Sequence, residues 1–229
     1  MTCLVLLPGL DGTGELFAPF VAALAGVATR VVAYPHDRAM DYAGHEAYAR
    51  TRLPSDDDYI LLAESFSGPI GIAIAASRPA RLRGLILCVS FASNPLPMFS
   101  PLSRLIGVLP AARIPHSLAA PWLYAGRATS ELRRAHAAAM AKVPARVLAA
   151  RAAAILSVDR RAQLARIDVP LLYLRAKADR LVKESAARAI LDARPDAQLV
   201  ELDAPHFLLQ TEPEACAVVT RAFIQRCQR

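Results

Sequence analysis

The chain is poor in the features that hold small or secreted domains together. Its four cysteines, Cys3, Cys88, Cys216 and Cys227, are scattered without any C-x-x-C spacing. They read as reduced thiols of a cytoplasmic protein, not as a disulfide framework. No apolar stretch is long enough to cross a bilayer without meeting charge or proline. The first apolar run, 3–7, is short, follows no basic region and ends in Pro8-Gly9, so it reads as a strand and not as a signal peptide. No internal repeat is visible. No basic block is interleaved with aromatics, so nucleic acid is not an expected partner although the formal net charge is +7. The arginines are spread among alanines along the whole length, as on a solvated surface. An acidic partner such as an acyl carrier protein or coenzyme A is the alternative reading of that charge.

What the chain does have is apolar content and alternation. Its 229 residues are 55% hydrophobic, enough to bury one substantial core, with one domain and an insertion as the expected organisation. Short strand-like runs at 3–7, 30–34, 59–64, 85–89, 169–174 and 198–202 alternate with helical patterns at 16–24, 42–52, 68–77, 183–193 and 213–226. This order predicts an α/β fold with a parallel sheet covered by helices. The alternation breaks once, between 92 and 167, where alanine-rich helical sequence replaces strands. The expected division is therefore a core of 1–91 and 168–229 and a helical lid insertion of 92–167 over the carboxyl ends of the strands, where such sheets place ligands. The alternative is an ordinary packing subdomain. The stretch 95–122, rich in leucine and proline and including Phe99, reads either as an acyl pocket lining or as lid core.

The run Tyr59-Ile60-Leu61-Leu62-Ala63-Glu64-Ser65-Phe66-Ser67-Gly68-Pro69 is a buried-strand pattern that stops at a serine and continues into small residues. It reads as a strand-to-helix elbow presenting Ser65 as a nucleophile, with Ala63 and Ser67 as the small neighbours that so tight a turn demands. A serine hydroxyl needs a base, and the base an orienting carboxylate. His206 falls on a loop just past the last strand and Asp179 just past the strand before it. The chain order Ser65, Asp179, His206 is the one expected of a single serine-hydrolase architecture. His36, His45, His116 and His136 lack such placement, and Asp203 lies too close to His206 along the chain. The expected oxyanion donors are the N–H of Phe66 and, from the loop Pro8-Gly9-Leu10-Asp11-Gly12-Thr13-Gly14, the N–H of Leu10. A phosphate-cradling role for that loop fits poorly, because it lacks the lysine of a P-loop.

With these residues the chain resembles the α/β-hydrolase superfamily over nearly its whole length. The segment Leu7-Pro8-Gly9-Leu10-Asp11-Gly12-Thr13-Gly14, followed by Phe17, is similar to the L-P-G-x-D-G-T-G segment of plant phytyl ester synthases and their esterase, lipase and thioesterase relatives, as is the elbow Glu64-Ser65-Phe66-Ser67-Gly68. The resemblance implies Ser65, Asp179 and His206 as a catalytic triad and Leu10 and Phe66 as oxyanion donors, with no metal or organic cofactor. It also implies that the first strand matches the third of the full fold, leaving about six strands with the Ser65 strand beside the Gly9 strand. The acyltransferase region of the plant proteins is missing, and the H-x-x-x-x-D string from His36 to Asp41 reads as accidental. The expected function is a serine hydrolase acting on carboxylic esters or acyl thioesters through an acyl-enzyme. Acyl transfer, carbon–carbon bond hydrolysis and a non-catalytic binding protein on the same fold are the alternatives.

Overall fold

The computed structural model describes residues 2–97 and 121–228. Six strands, β1 (Cys3–Leu7), β2 (Thr29–Val31), β3 (Tyr59–Glu64), β4 (Leu82–Cys88), β5 (Leu171–Ala176) and β6 (Gln198–Leu202), form one sheet in the order β2-β1-β3-β4-β5-β6. Every pairing is parallel. All six expected strands are present; β1, β3 and β6 keep the expected bounds, and the ends of β2, β4 and β5 shift. β2 stops at Val31 because the chain leaves the ladder to follow a loop: Tyr34 N–H donates to the Gly12 carbonyl at 2.7 Å. β5 runs on to Ala176 because Arg175 and Ala176 still pair with Glu201 and Leu202, which a purely apolar run could not reveal.

The helices of the core are α1 (Ala18–Ala23), α2 (Tyr42–Arg50), α3 (Gly68–Ala76), α7 (Glu184–Ala193), α8 (Leu208–Thr211) and α9 (Pro213–Cys227). The helix expected over 16–24 is divided. Pro19 lacks an N–H and is accommodated only in a first turn, so α1 starts at Ala18 and Glu15–Phe17 form a 3-10 turn before it. Asp41, the last residue of the H-x-x-x-x-D string, caps α2 by accepting from Gly44 N–H at 2.8 Å.

Parallel strands bury both faces, and side-chain alternation sends successive residues to opposite sides. Val5, Leu7, Leu61 and Ala63 meet α2, α3 and α7 on one face. Leu4, Leu6, Ile60 and Leu62 meet Phe20 of α1 and Cys216, Ala217 and Phe223 of α9 on the other. α3 carries no polar face because every one of its residues is buried. Between β4 and β5 the described residues form α4 (Ser130–Ala141), α5 (Ala145–Ile155) and α6 (Arg161–Leu164), with a single bridge, Ser93 to Asp159, as their only extended pairing. The stretch 95–122, apart from its ends, and His116 lie outside the described residues. Among the described residues no helix is long and apolar enough to cross a membrane.

The strand order reverses between β1 and β3: from β1 the sheet grows to β2 on one side and to β3 through β6 on the other. Such a switch point opens a crevice at the carboxyl ends of the two strands. The Gly9 loop and Ser65 both emerge there.

Candidate active site

Ser65 follows β3 directly and opens a 3-10 turn, Ser65–Ser67, that runs into α3. Its φ is 47°, a conformation costly for any residue with a side chain and therefore held only where the surroundings determine it. Four hydrogen bonds do so. Ser90, just beyond β4, donates from Oγ to the Ser65 carbonyl at 2.6 Å, and Tyr173 of β5 donates from its hydroxyl to the Ser90 carbonyl at 2.8 Å. Ser67 donates from Oγ to the Pro8 carbonyl and lies 2.7 Å from the Tyr34 hydroxyl. The elbow is thus tied to β1 on one side and β4 on the other.

The small residues of the elbow have distinct reasons. Ala63 faces Gly71 so closely that a Cβ on Gly71 would lie 2.8 Å from that of Ala63. At Gly68 a Cβ would lie 1.7 Å from Ser90 Oγ. Ser67, expected only to be small, is also a hydrogen-bonding post between the elbow and the loop after β1.

The three residues expected to act together are in contact. Ser65 Oγ lies 2.9 Å from His206 Nε2, and His206 Nδ1 lies 2.7 Å from Asp179 Oδ2. The other oxygen of Asp179 accepts from Leu181 and Val182 N–H at 2.8 and 2.9 Å, which fixes the carboxylate's orientation. The loops bearing the two residues are joined, since Lys177 and Ala178 donate to the carbonyls of Leu202 and Ala204. The Asp179 side chain is only 2% exposed and that of His206 9%. Desolvation lowers the His206 pKa, but the charge and hydrogen bond of Asp179, with the charge of Glu64, outweigh it and raise the pKa above its ordinary value. Such an array can carry a proton from a hydroxyl to an imidazole and stabilise the imidazolium that results. Asp203 is turned away and pairs with Arg127 at 2.9 Å.

Phe66 directly follows Ser65, and Leu10 lies in the loop that follows β1. The N–H of Phe66 belongs to the first turn after the strand and has no intrahelical acceptor. Its ring is locked behind the elbow, stacked on Tyr42 at 5.0 Å, and its carbonyl accepts from the Tyr42 hydroxyl at 3.1 Å. Among the described residues no acceptor meets the N–H of Leu10, whereas Gly12 N–H in the same loop closes on the Gly9 carbonyl at 3.1 Å. Asp11 shapes the loop by accepting from Thr13 N–H at 2.8 Å and from its hydroxyl at 2.5 Å.

Several site residues were not apparent from the sequence. Glu64 is buried beside Ser65, accepts from Gln210 Nε2 at 3.0 Å, and is pushed up to about 7 chiefly by burial. Ser90, Tyr173 and Gln210 come from distant segments and have no local signature. Of the histidines set aside, His45 is buried against Phe66, and His136 lies 2.6 Å from the Tyr124 hydroxyl through Nδ1. An open groove of about 480 Å³ between 39–41 and α5 contains none of the five expected site residues. Among the described residues no cluster of His, Cys, Asp and Glu could hold a metal ion.

No curated protein matches the chain in sequence. Solved structures match it along nearly all of its length. A thermophilic esterase from Thermogutta terrifontis superposes with a TM-score of 0.84 at 19% identity, covering 100% of this chain and 91% of that one. A lipase-esterase related protein from Clostridium acetobutylicum gives 0.81 at 14% identity, with 97% and 94% covered. A hydrolase from Pseudomonas aeruginosa gives 0.80 at 22% identity, with 97% and 89% covered. At these identities the likeness is one of fold, and the fold is that of the α/β-hydrolases. Residues 32–210 match the family described as serine aminopeptidase, S33, and because that match spans well over half of the chain, the protein belongs to this family of hydrolases.

Proposed function

We propose that the protein is a serine hydrolase that cleaves carboxylic esters or acyl thioesters through an acyl-enzyme on Ser65. The observation that carries this reading is the continuous hydrogen-bonded line from Ser65 Oγ through His206 to Asp179, set at a strained elbow. As Oγ attacks the substrate carbonyl carbon, its proton passes to His206 Nε2, and Asp179 holds the imidazolium that forms. The carbonyl oxygen becomes an oxyanion facing the N–H groups of Leu10 and Phe66. Collapse breaks the bond to the alcohol or thiol, which leaves with the proton from His206. Water then attacks the acyl-enzyme with His206 again as base, releasing the acid and restoring Ser65.

The helices between β4 and β5 act in this reading as a lid over the site, within an insertion of 92–167 on a core of 1–91 and 168–229. A small set of contacts supports it: Phe207, next to His206, packs 5.0 Å from the Tyr124 ring and 4.8 Å from the His136 ring. The net charge of +7 suits an acyl group presented on an anionic carrier such as acyl carrier protein or coenzyme A. Cleavage of peptide bonds at a free amino terminus is the second reading, favoured by the description of the family that the chain matches.

A panel of p-nitrophenyl esters and acyl-coenzyme A of increasing chain length, together with amino-acid anilides, separates these readings when run beside Ser65→Ala. Ester or thioester hydrolysis that disappears in the variant is the expected result. Anilide cleavage alone would move the assignment to the peptidase reading, and equal inertness of both proteins would remove it. Adding alcohol acceptors reports acyl transfer as new ester product.

A further inference from the structure

Arg151 on α5 is fully buried, and among the described residues it forms no ion pair. Its guanidinium is instead spent on backbone. Nη1 donates to the carbonyls of Leu10 and Asp11 at 2.9 and 2.7 Å, and Nη2 donates to the carbonyl of Pro35 at 3.0 Å. The guanidinium carbon lies 5.8 Å from the centre of the Tyr34 ring. Taking such a charge out of water costs several kcal/mol before its hydrogen bonds are counted, and an apolar side chain would fill the same volume without that penalty.

The charge sits on one particular piece of chain. Leu10 O and Asp11 O flank the turn that follows the Leu10 N–H. Upstream, Pro8 O is held by Ser67 Oγ, which in turn meets the Tyr34 hydroxyl at 2.7 Å. The loop is therefore gripped on both sides of the Leu10 N–H, which meets no acceptor among the described residues. Gly12 makes the grip possible: its φ is 69°, and a Cβ there would lie 2.4 Å from Arg151 Nη1. Asp11 does not neutralise the guanidinium by direct contact, since the carboxylate oxygen that bonds is taken by Thr13.

We propose that Arg151 is the positioning residue of the oxyanion site, fixing the direction of the Leu10 N–H from the insertion and so making the site complete only when α5 is docked on the loop. The inference rests on the reading of Leu10 as an oxyanion donor. A misdirected donor weakens stabilisation of the tetrahedral state and leaves ground-state binding nearly untouched.

The test compares wild type with Arg151→Met, Arg151→Ala, Arg151→Lys and Ser65→Ala on the best ester of the panel. It is paired with binding of an alkyl boronic acid, to whose boron Ser65 Oγ adds as its proton passes to His206. Arg151→Met is expected to lower kcat by about 10- to 100-fold, within the range for loss of an oxyanion donor, with KM changed less than about twofold and boronate affinity falling in parallel with kcat/KM. Guanidinium ion at tens of millimolar is expected to restore part of kcat to Arg151→Ala and none to Ser65→Ala. Unchanged kcat in Arg151→Met, or a loss confined to KM with boronate affinity intact, overturns the inference. If Arg151→Met does not fold, Arg151→Lys decides: a compact ammonium lacks the planar fork whose Nη1 and Nη2 reach carbonyls on two segments, so a partial loss of kcat and boronate affinity is expected, and equality with wild type overturns the clamp. Activity lost in Ser65→Ala beside an unaffected Arg151 variant removes this inference alone. Activity retained in Ser65→Ala removes the proposed function with it.

Discussion

Ser90 Oγ donates to the carbonyl of Ser65 at 2.6 Å across the space that Gly68 leaves open. The bond holds the Ser65 peptide in its positive-φ conformation from the segment just beyond β4, and the missing side chain of Gly68 is what lets it form. Gly68→Ala puts a Cβ 1.7 Å from Ser90 Oγ and 2.7 Å from Ser90 Cβ. Neither contact is tolerable, so the variant is expected to lose roughly 1–3 kcal/mol of stability, as overpacked sites do, together with most of its activity. Ser90→Gly removes both clashing atoms. In urea unfolding, Gly68→Ala combined with Ser90→Gly should be more stable than the sum of the two single changes, and strict additivity would contradict the proposed contact.

Glu64 gives the protein a pH dependence whose sign follows from its burial. Its folded pKa, about 7, lies above its ordinary value of 4.5, chiefly because desolvation outweighs the hydrogen bond from Gln210. The contribution to stability is therefore fully present below the ordinary carboxyl value and is lost as pH rises through about 7. Glu64→Gln cannot ionise. Relative to wild type it should gain stability between pH 5 and 8, by up to about 3 kcal/mol, in urea unfolding at the two pH values. The same substitution removes one of the charges that raise the His206 pKa. The acid limb of the kcat/KM profile should accordingly move to lower pH.

Asp179 divides its two oxygens between structure and His206. Oδ1 accepts from Leu181 and Val182 N–H, while Oδ2 faces His206 Nδ1. An asparagine can keep the first arrangement with its carbonyl oxygen and present an N–H to the imidazole with its amide. Asp179→Asn should then fold like wild type while holding His206 in the tautomer that cannot accept from Ser65. A fall of about 10⁴ in kcat is expected, on the scale known for this substitution in serine proteases, with little change in thermal midpoint. A loss of less than tenfold would mean that His206 is not oriented by Asp179.

How much of this was legible in the sequence depended on whether the signal was local. The elbow at Ser65 could be read because a buried strand and a small-residue turn leave their marks within ten residues, and Asp179 and His206 because each follows a strand. β2 was harder: Val32 and Tyr34 continue its apolar pattern, but after Val32 donates to Leu6 of β1 the chain leaves the ladder and Tyr34 spends its N–H on Gly12 in the loop. Ser90 and Tyr173 gave no warning and Arg151 little, since each acts on a carbonyl 25 or more residues away. The one available hint was a lone arginine between Ala149-Ala150 and Ala152-Ala153, a charge embedded in a helix face otherwise fit for burial. Ser67 was read for its size alone, because its hydroxyl matters only once Pro8 and Tyr34 are brought to it.

The central claim is that Ser65 carries the acyl group during turnover. Rapid quenching of the protein with a p-nitrophenyl ester, followed by intact-mass measurement and peptide mapping, tests it most directly. The account predicts a mass increase equal to one acyl group, located on Ser65, accompanied by a burst of p-nitrophenolate and absent from Ser65→Ala. Hydrolysis at the wild-type rate by Ser65→Ala, or an adduct located on another residue, would contradict it.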